Sequence, residues 1–142
     1  MRKLVLLSLL FIATNALADE LQNFDQIKSA VTTGKSIRIA IDFSKCVMDK
    51  KAVSRDKSNI AIFTPNEIIV DNDGRIVTSL MHFTLNNTNF PAKPVYQFVR
   101  YTLTADDHVN LAYQVLDAKN YAILADTVSV DCKISSGVKI YG

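Results

Sequence analysis

EIIVDNDGRIVTSLMHFTL, residues Glu67 to Leu85, sets two runs rich in β-branched residues on either side of Asn72-Asp73-Gly74. Asp-Gly between such runs is a strong hairpin signal, because the turn needs positive φ and glycine adopts it without a Cβ clash. No other stretch carries so long and unbroken a strand signal. The segments around it read as its partners or its covers.

Upstream, Ile60 to Phe63 is a strand interrupted by Pro65, which places it at a sheet edge or a bulge because proline cannot donate to a ladder. The polar run before it, MDKKAVSRDKSN, reads as a solvated loop, with its basic residues partly balanced by Asp49 and Asp56. Ser36 to Phe43 alternates: Ile37, Ile39, Ile41 and Phe43 point one way, Arg38, Ala40 and Asp42 the other. From Asp19 to Gly34 the spacing of Leu21, Phe24, Ile27 and Val31 predicts an amphipathic helix. Asp19 is the expected start cap and Gly34 the left-handed end cap.

Downstream, the run from Asn86 to Pro91 breaks the second arm. Asn86-Asn87-Thr88 matches a glycosylation sequon but reads as turn chemistry. Val95 to Thr104 is a strand carrying Tyr96, Phe98 and Tyr101, and Ala105 to His108 turns it into Val109 to Leu116. A turn at Asp117 to Asn120 leads into a last long strand from Tyr121 to Asp131, and Val138 to Tyr141 reads as a further edge strand. One helix followed by short-spaced strands predicts an α+β domain, with the N-terminal helix packed on a mainly antiparallel, strongly curled sheet or partly closed barrel.

The N-terminus reads as a signal peptide. Arg2 and Lys3 precede an apolar run from Leu4 to Ala13, and Ala16 and Ala18 are small residues at the two positions a signal peptidase reads. Cleavage between Ala18 and Asp19 divides the chain into a leader, residues 1–18, and a single domain, residues 19–142. The apolar run is too short for a helix to span a bilayer. Of 16 basic residues two lie in the leader, so the domain has 16 − 2 = 14 basic against 14 acidic residues. A neutral domain gives no electrostatic reason to expect nucleic acid or an anionic membrane as partner. Export to the periplasm or beyond also decides how Cys46 and Cys132 read: two cysteines in an oxidising space most simply form one bridge, bringing two strand ends together.

Chemistry is sparse. Asp71-Asn72-Asp73-Gly74 begins like a calcium loop, but Arg75, Val77 and Ser79 stand where oxygen ligands are wanted. No phosphate loop, nucleophile elbow or zinc spacing is present, and no metal or cofactor is expected. His82, sharing a face with Ile76, Thr78, Leu80 and Thr84, reads first as a hydrogen-bonded, half-buried residue and second as a functional one. His108 reads as a solvated turn tip. Tyr96, Phe98, Tyr101, Tyr113 and Tyr121 are candidates for a pocket lining, Tyr96 and Tyr101 foremost, against the plainer reading that they form the core.

A strand ending in Cys46 after a helix ending in Gly34, then Asp73-Gly74-Arg75-Ile76, His82-Phe83-Thr84, the Tyr96–Tyr101 strand and a late Cys132, together resemble the VirK family of small exported bacterial proteins. The resemblance implies an association with virulence and supplies no catalytic residues. The expected function is a non-enzymatic binding protein with a protein or small-molecule partner. The alternative is a ligand carrier or enzyme with a pocket near His82.

Overall fold

The computed structural model describes residues 18–48 and 60–142; most of the leader and nearly all of the polar run lie outside them. The first elements of the described residues are a two-residue strand, β1 (Glu20–Leu21), and a nine-residue helix, α1 (Phe24–Thr32). Strands β2 (Arg38–Asp42), β3 (Val47–Met48), β4 (Ile60–Phe63) and β5 (Ile69–Val70) follow. The long strands are β6 (Ile76–Asn87), β7 (Phe90–Thr104) and β8 (His108–Asp117), and β9 (Val128–Lys133) and β10 (Val138–Tyr141) complete the chain.

These strands form two antiparallel sheets, ordered β1-β10-β2-β4 and β3-β9-β8-β7-β6-β5. This corrects the expected α+β class. The described residues are mostly strand, with neither a helix-dominated layer nor a closed barrel. The physical reason lies at the chain ends. Glu20 and Leu21 pair with Tyr141 and Ile140 and so leave the helix, and the C-terminal tail enters between β1 and β2 rather than lying at an edge. Val138 and Ile140 are fully buried there, so the tail builds a second sheet against the first.

One core joins both sheets. Ile39, Ile41, Val138 and Ile140 of the smaller sheet cluster with Ile76, Tyr101, Leu103, Val109, Leu111 and Val130 of the larger. The helix adds Phe24, Ile27 and Ala30. The Phe63 and Tyr101 rings meet at 4.5 Å between centroids across the sheets. Even positions of β2 face outward and odd ones inward, as its alternation requires.

The helix ends are set by local chemistry. Asn23, not Asp19, caps the start: its Oδ1 accepts from Gln26 N–H at 3.0 Å. At the other end Gly34 has φ 81°, and the N–H groups of Gly34 and Lys35 donate to Val31 and Ala30 carbonyls, closing a Schellman cap. A second cap comes from far away in sequence. Asp107, in the β7–β8 turn, accepts the Phe24 N–H at 2.7 Å. Asp107 also sits at φ 62°, a region aspartate and asparagine tolerate. Asp107→Ala is expected to cost about 2 kcal/mol through the lost bond and the strained backbone. Asp107→Asn retains most of that, and urea unfolding of the two variants gives the comparison.

The chain crosses from one sheet to the other between β2 and β3, through a short 3-10 turn at Phe43–Lys45. Cys46 follows at once and is disulfide-bonded to Cys132 on β9. Val47 pairs with Asp131, so the two cysteines are the next cross-strand pair, and their Cα atoms are 4.5 Å apart. The bridge fastens the crossing to the larger sheet. Gly137 lies over it: a Cβ there would meet Cys46 Sγ at 3.0 Å.

Candidate functional site

The quoted hairpin closes as a turn. Gly74 adopts φ 77°, Gly74 N–H donates to the Asp71 carbonyl at 2.9 Å, and Asp71 N–H donates to Arg75. Its carboxylates are already engaged. Arg75 reaches Asp71 and Asp73 at 2.8 Å each, and Asp71 Oδ1 accepts from the Asp73 and Arg75 N–H groups. Desolvation pushes the Asp71 carboxyl up, but the Arg75 bonds outweigh it and hold it below the usual carboxylate range. The first arm is only the two residues of β5, so this hairpin forms the edge of the sheet and β7 and β8 lie at its centre.

Register then decides where the candidate residues go. Tyr101 pairs with Thr78 and Leu111 and faces inward, 3% exposed. Burial pushes its phenol up to about 12. Tyr96 pairs with Phe83 and Leu116, on the opposite face of the same strand. His82 pairs with Gln97 on the inner face, four residues along β6 from Tyr101's partner Thr78, and it is exposed. At a strand rise of roughly 3.3 Å per residue those two positions are roughly 13 Å apart. The structure therefore does not gather His82, Tyr96 and Tyr101 into one pocket.

What it gathers instead is an aromatic cluster on the outer face. The Phe83 ring meets Tyr96 edge-on at 5.6 Å, and the Tyr121 ring stacks on Tyr96 at 5.7 Å and 14°. The row continues through Leu116 to Ile123, its bridge partner. Phe83, Tyr121 and Ile123 are each more than half exposed, and so are Met81 and Leu85 beside them.

A built loop carries Tyr121 there. Its N–H donates to the Asp117 carbonyl at 2.9 Å, and its backbone turns at φ 59°. The Asp117 carboxylate accepts the Lys119 N–H at 2.8 Å and pairs with Lys93 at 2.9 Å. The Lys93 bond holds that carboxyl below its usual range. Asn120 Oδ1 accepts the Ala122 N–H at 3.1 Å. Residues expected to begin the last long strand thus form a platform, and the strand itself starts only at Val128.

Two polar contacts were not legible. His108 Nδ1 lies 2.6 Å from Asp131 Oδ1 across β8 and β9, where the sequence predicts a free tip. Asn87 is buried, donating to the Tyr113 hydroxyl at 3.2 Å and accepting the Asn89 N–H at 3.0 Å as it closes the β6–β7 turn. A register is needed to see either, and alternation alone does not supply one.

Among the described residues no helix is long and apolar enough to cross a membrane. The chain is 26% identical over 131 residues to uncharacterized protein y4wH of Sinorhizobium fredii, covering 91% of this chain and 88% of the relative. It is 24% identical over 135 residues to an uncharacterized protein in the pinF2 3' region of Rhizobium radiobacter, covering 90% and 88%. Its fold is similar to the crystal structure of lpg1832, a VirK family protein from Legionella pneumophila, at a TM-score of 0.78 and 29% identity over 87% of this chain and 98% of that one. Residues 20–121 match the family described as VirK protein. The chain belongs to the VirK family, whose members are associated with virulence.

Proposed function

We propose that this protein is exported, matures by cleavage between Ala18 and Asp19, and acts outside the cytoplasm as a binding protein rather than an enzyme. The observation that carries the reading is the exposed cluster of Phe83, Tyr96 and Tyr121 on the outer face of the larger sheet. Three rings held against one another at a surface form a preorganised apolar contact of the kind that dominates protein interfaces. The loop on Asp117 fixes Tyr121 before any partner arrives, which lowers the ordering cost of binding. The disulfide is consistent with an oxidising compartment. The partner that fits is a polypeptide surface presenting uncharged apolar side chains.

A photo-crosslinking residue at position 121, with capture from the producing cell's periplasm and medium, gives the test. One discrete adduct is expected, and Tyr96→Ala reduces its yield about tenfold or more, as loss of a central aromatic contact does. Thermal unfolding of that variant stays close to the native curve. An adduct pattern that Tyr96→Ala leaves unchanged overturns the assignment of this face.

A further inference from the structure

β6 runs for twelve residues, yet β5 covers only its first two. Beyond Val77 its flank away from β7 meets no strand among the described residues; Glu67 stays beside it only as far as Thr78, whose Oγ1 donates to the Glu67 carbonyl at 2.6 Å. Alternation settles which backbone groups lie on that flank. The Arg75 carbonyl accepts from Asp71, on the β5 side. In an antiparallel strand every second residue directs its N–H and C=O to the same neighbour. Ser79, Met81 and Phe83 therefore turn both groups outward, while Leu80 and His82 direct theirs to β7.

Natural sheets guard such an edge with lysine, proline or a bulge. Here Thr78 to Thr88 reads TSLMHFTLNNT, without Lys, Arg, Asp, Glu, Pro or Gly. Leu80, Met81, Phe83 and Leu85 are all exposed. The register shift comes only at Thr84–Asn86. The open ladder is thus bounded by β5 at one end and that irregularity at the other, with Met81 at its middle.

We propose that this edge pairs with the same edge of a second copy of the chain, antiparallel about a two-fold axis at Met81. Ser79 then faces Phe83 of the other copy, Met81 faces Met81, and Leu80 faces His82. About six backbone hydrogen bonds close the join. A second copy fits because its strand brings no like charge to oppose, and because its open length ends at the same two points. The pairing also carries the outer apolar row of Met81 and Phe83 across the join, setting both aromatic clusters on one continuous face. It rests on the backbone edge and stands apart from the binding assignment above.

Sedimentation of the purified protein over a concentration series, with amide hydrogen exchange at each concentration, tests it. The expected result is a monomer–dimer equilibrium in which the Ser79, Met81 and Phe83 amides gain protection as dimer forms. The Leu80 and His82 amides stay protected throughout. Met81→Lys places two ammonium groups opposite each other and weakens the dimer about tenfold or more; Met81→Glu does the same. Mixing the two variants restores association as a heterodimer. Met81 is 54% exposed, so both variants keep the native thermal transition. A native protein that stays monomeric at every concentration overturns the proposal, as does a dimer indifferent to Met81→Lys. Protection of the three amides in the dilute monomer overturns it too, because a segment of the same chain then occupies the edge.

Discussion

Replacing Cys46 and Cys132 together by alanine lowers the unfolding free energy by about 3 to 5 kcal/mol. The bridge closes a loop with a sequence separation of 86 residues, and removing it returns the entropy of that loop to the unfolded chain. Both cysteines are buried, so the alanines leave no stranded hydroxyl, which serine would. For a domain of this size the loss corresponds to a drop in Tm of about 10 to 20 °C. Thermal unfolding of the double variant and of the native protein under reductant gives the two readings, and they are expected to agree. A loss below about 1 kcal/mol would show that the unfolded chain is already restrained without the bond.

The two tyrosines of β7 give the second large effect, and it is a contrast. Tyr101→Ala is expected to cost about 3 to 5 kcal/mol, because the ring fills the space between the sheets and packs on Phe63. Tyr96→Ala, five residues away on the other face, is expected to cost less than about 1 kcal/mol. Tyr101 also adds an alkaline limit. Its folded value of about 12 lies above the unfolded value near 10, so between them the unfolded chain holds fewer protons. That contribution to stability is fully present below pH 10 and is lost as the pH rises through 12. It amounts to about 2 to 3 kcal/mol by the size of the shift. By pH 11, one unit above the unfolded value, about 1.4 kcal/mol of it is lost; urea unfolding at pH 8 and pH 11 measures that part, and in Tyr101→Phe it shrinks.

Local signals were read well where the physics is local. The Asp-Gly turn, the Gly34 cap and the alternation of Ile37, Ile39 and Ile41 each depend on neighbours in sequence, and each is present. β7 starts at Phe90 rather than at the expected Val95, because the strand runs on through Pro91 and Pro94. The strand absorbs them through positive φ at Ala92 and a register shift opposite Thr84 and Asn86. The two-sheet architecture was missed for another reason. It depends on β10 pairing with β1 and β2, about a hundred residues earlier, and the tail's own pattern, Val138-Lys139-Ile140-Tyr141, says only that one face is buried.

The candidate site divides along the same line. The aromatic residues of β7 were visible, but which of them reach solvent depended on strand parity. The sequence places Tyr121 at the start of a strand, whereas the Asp117 loop lifts it onto Tyr96. His82 stood out by chemical type, and it lies exposed on the face away from the cluster.

The place of β10 has a consequence in time. Ribosomes release a chain from its N-terminus, so β1 waits for Ile140 and Tyr141 before it has a partner. β2 can pair with β4 early, but its other flank stays open until the last residues arrive. The larger sheet can form as a meander of neighbours, β6 to β9, while the smaller one is assembled from strands about a hundred residues apart. Contacts of such long separation form slowly. The smaller sheet therefore closes as a clasp, in which β10 fastens β1 after a long wait.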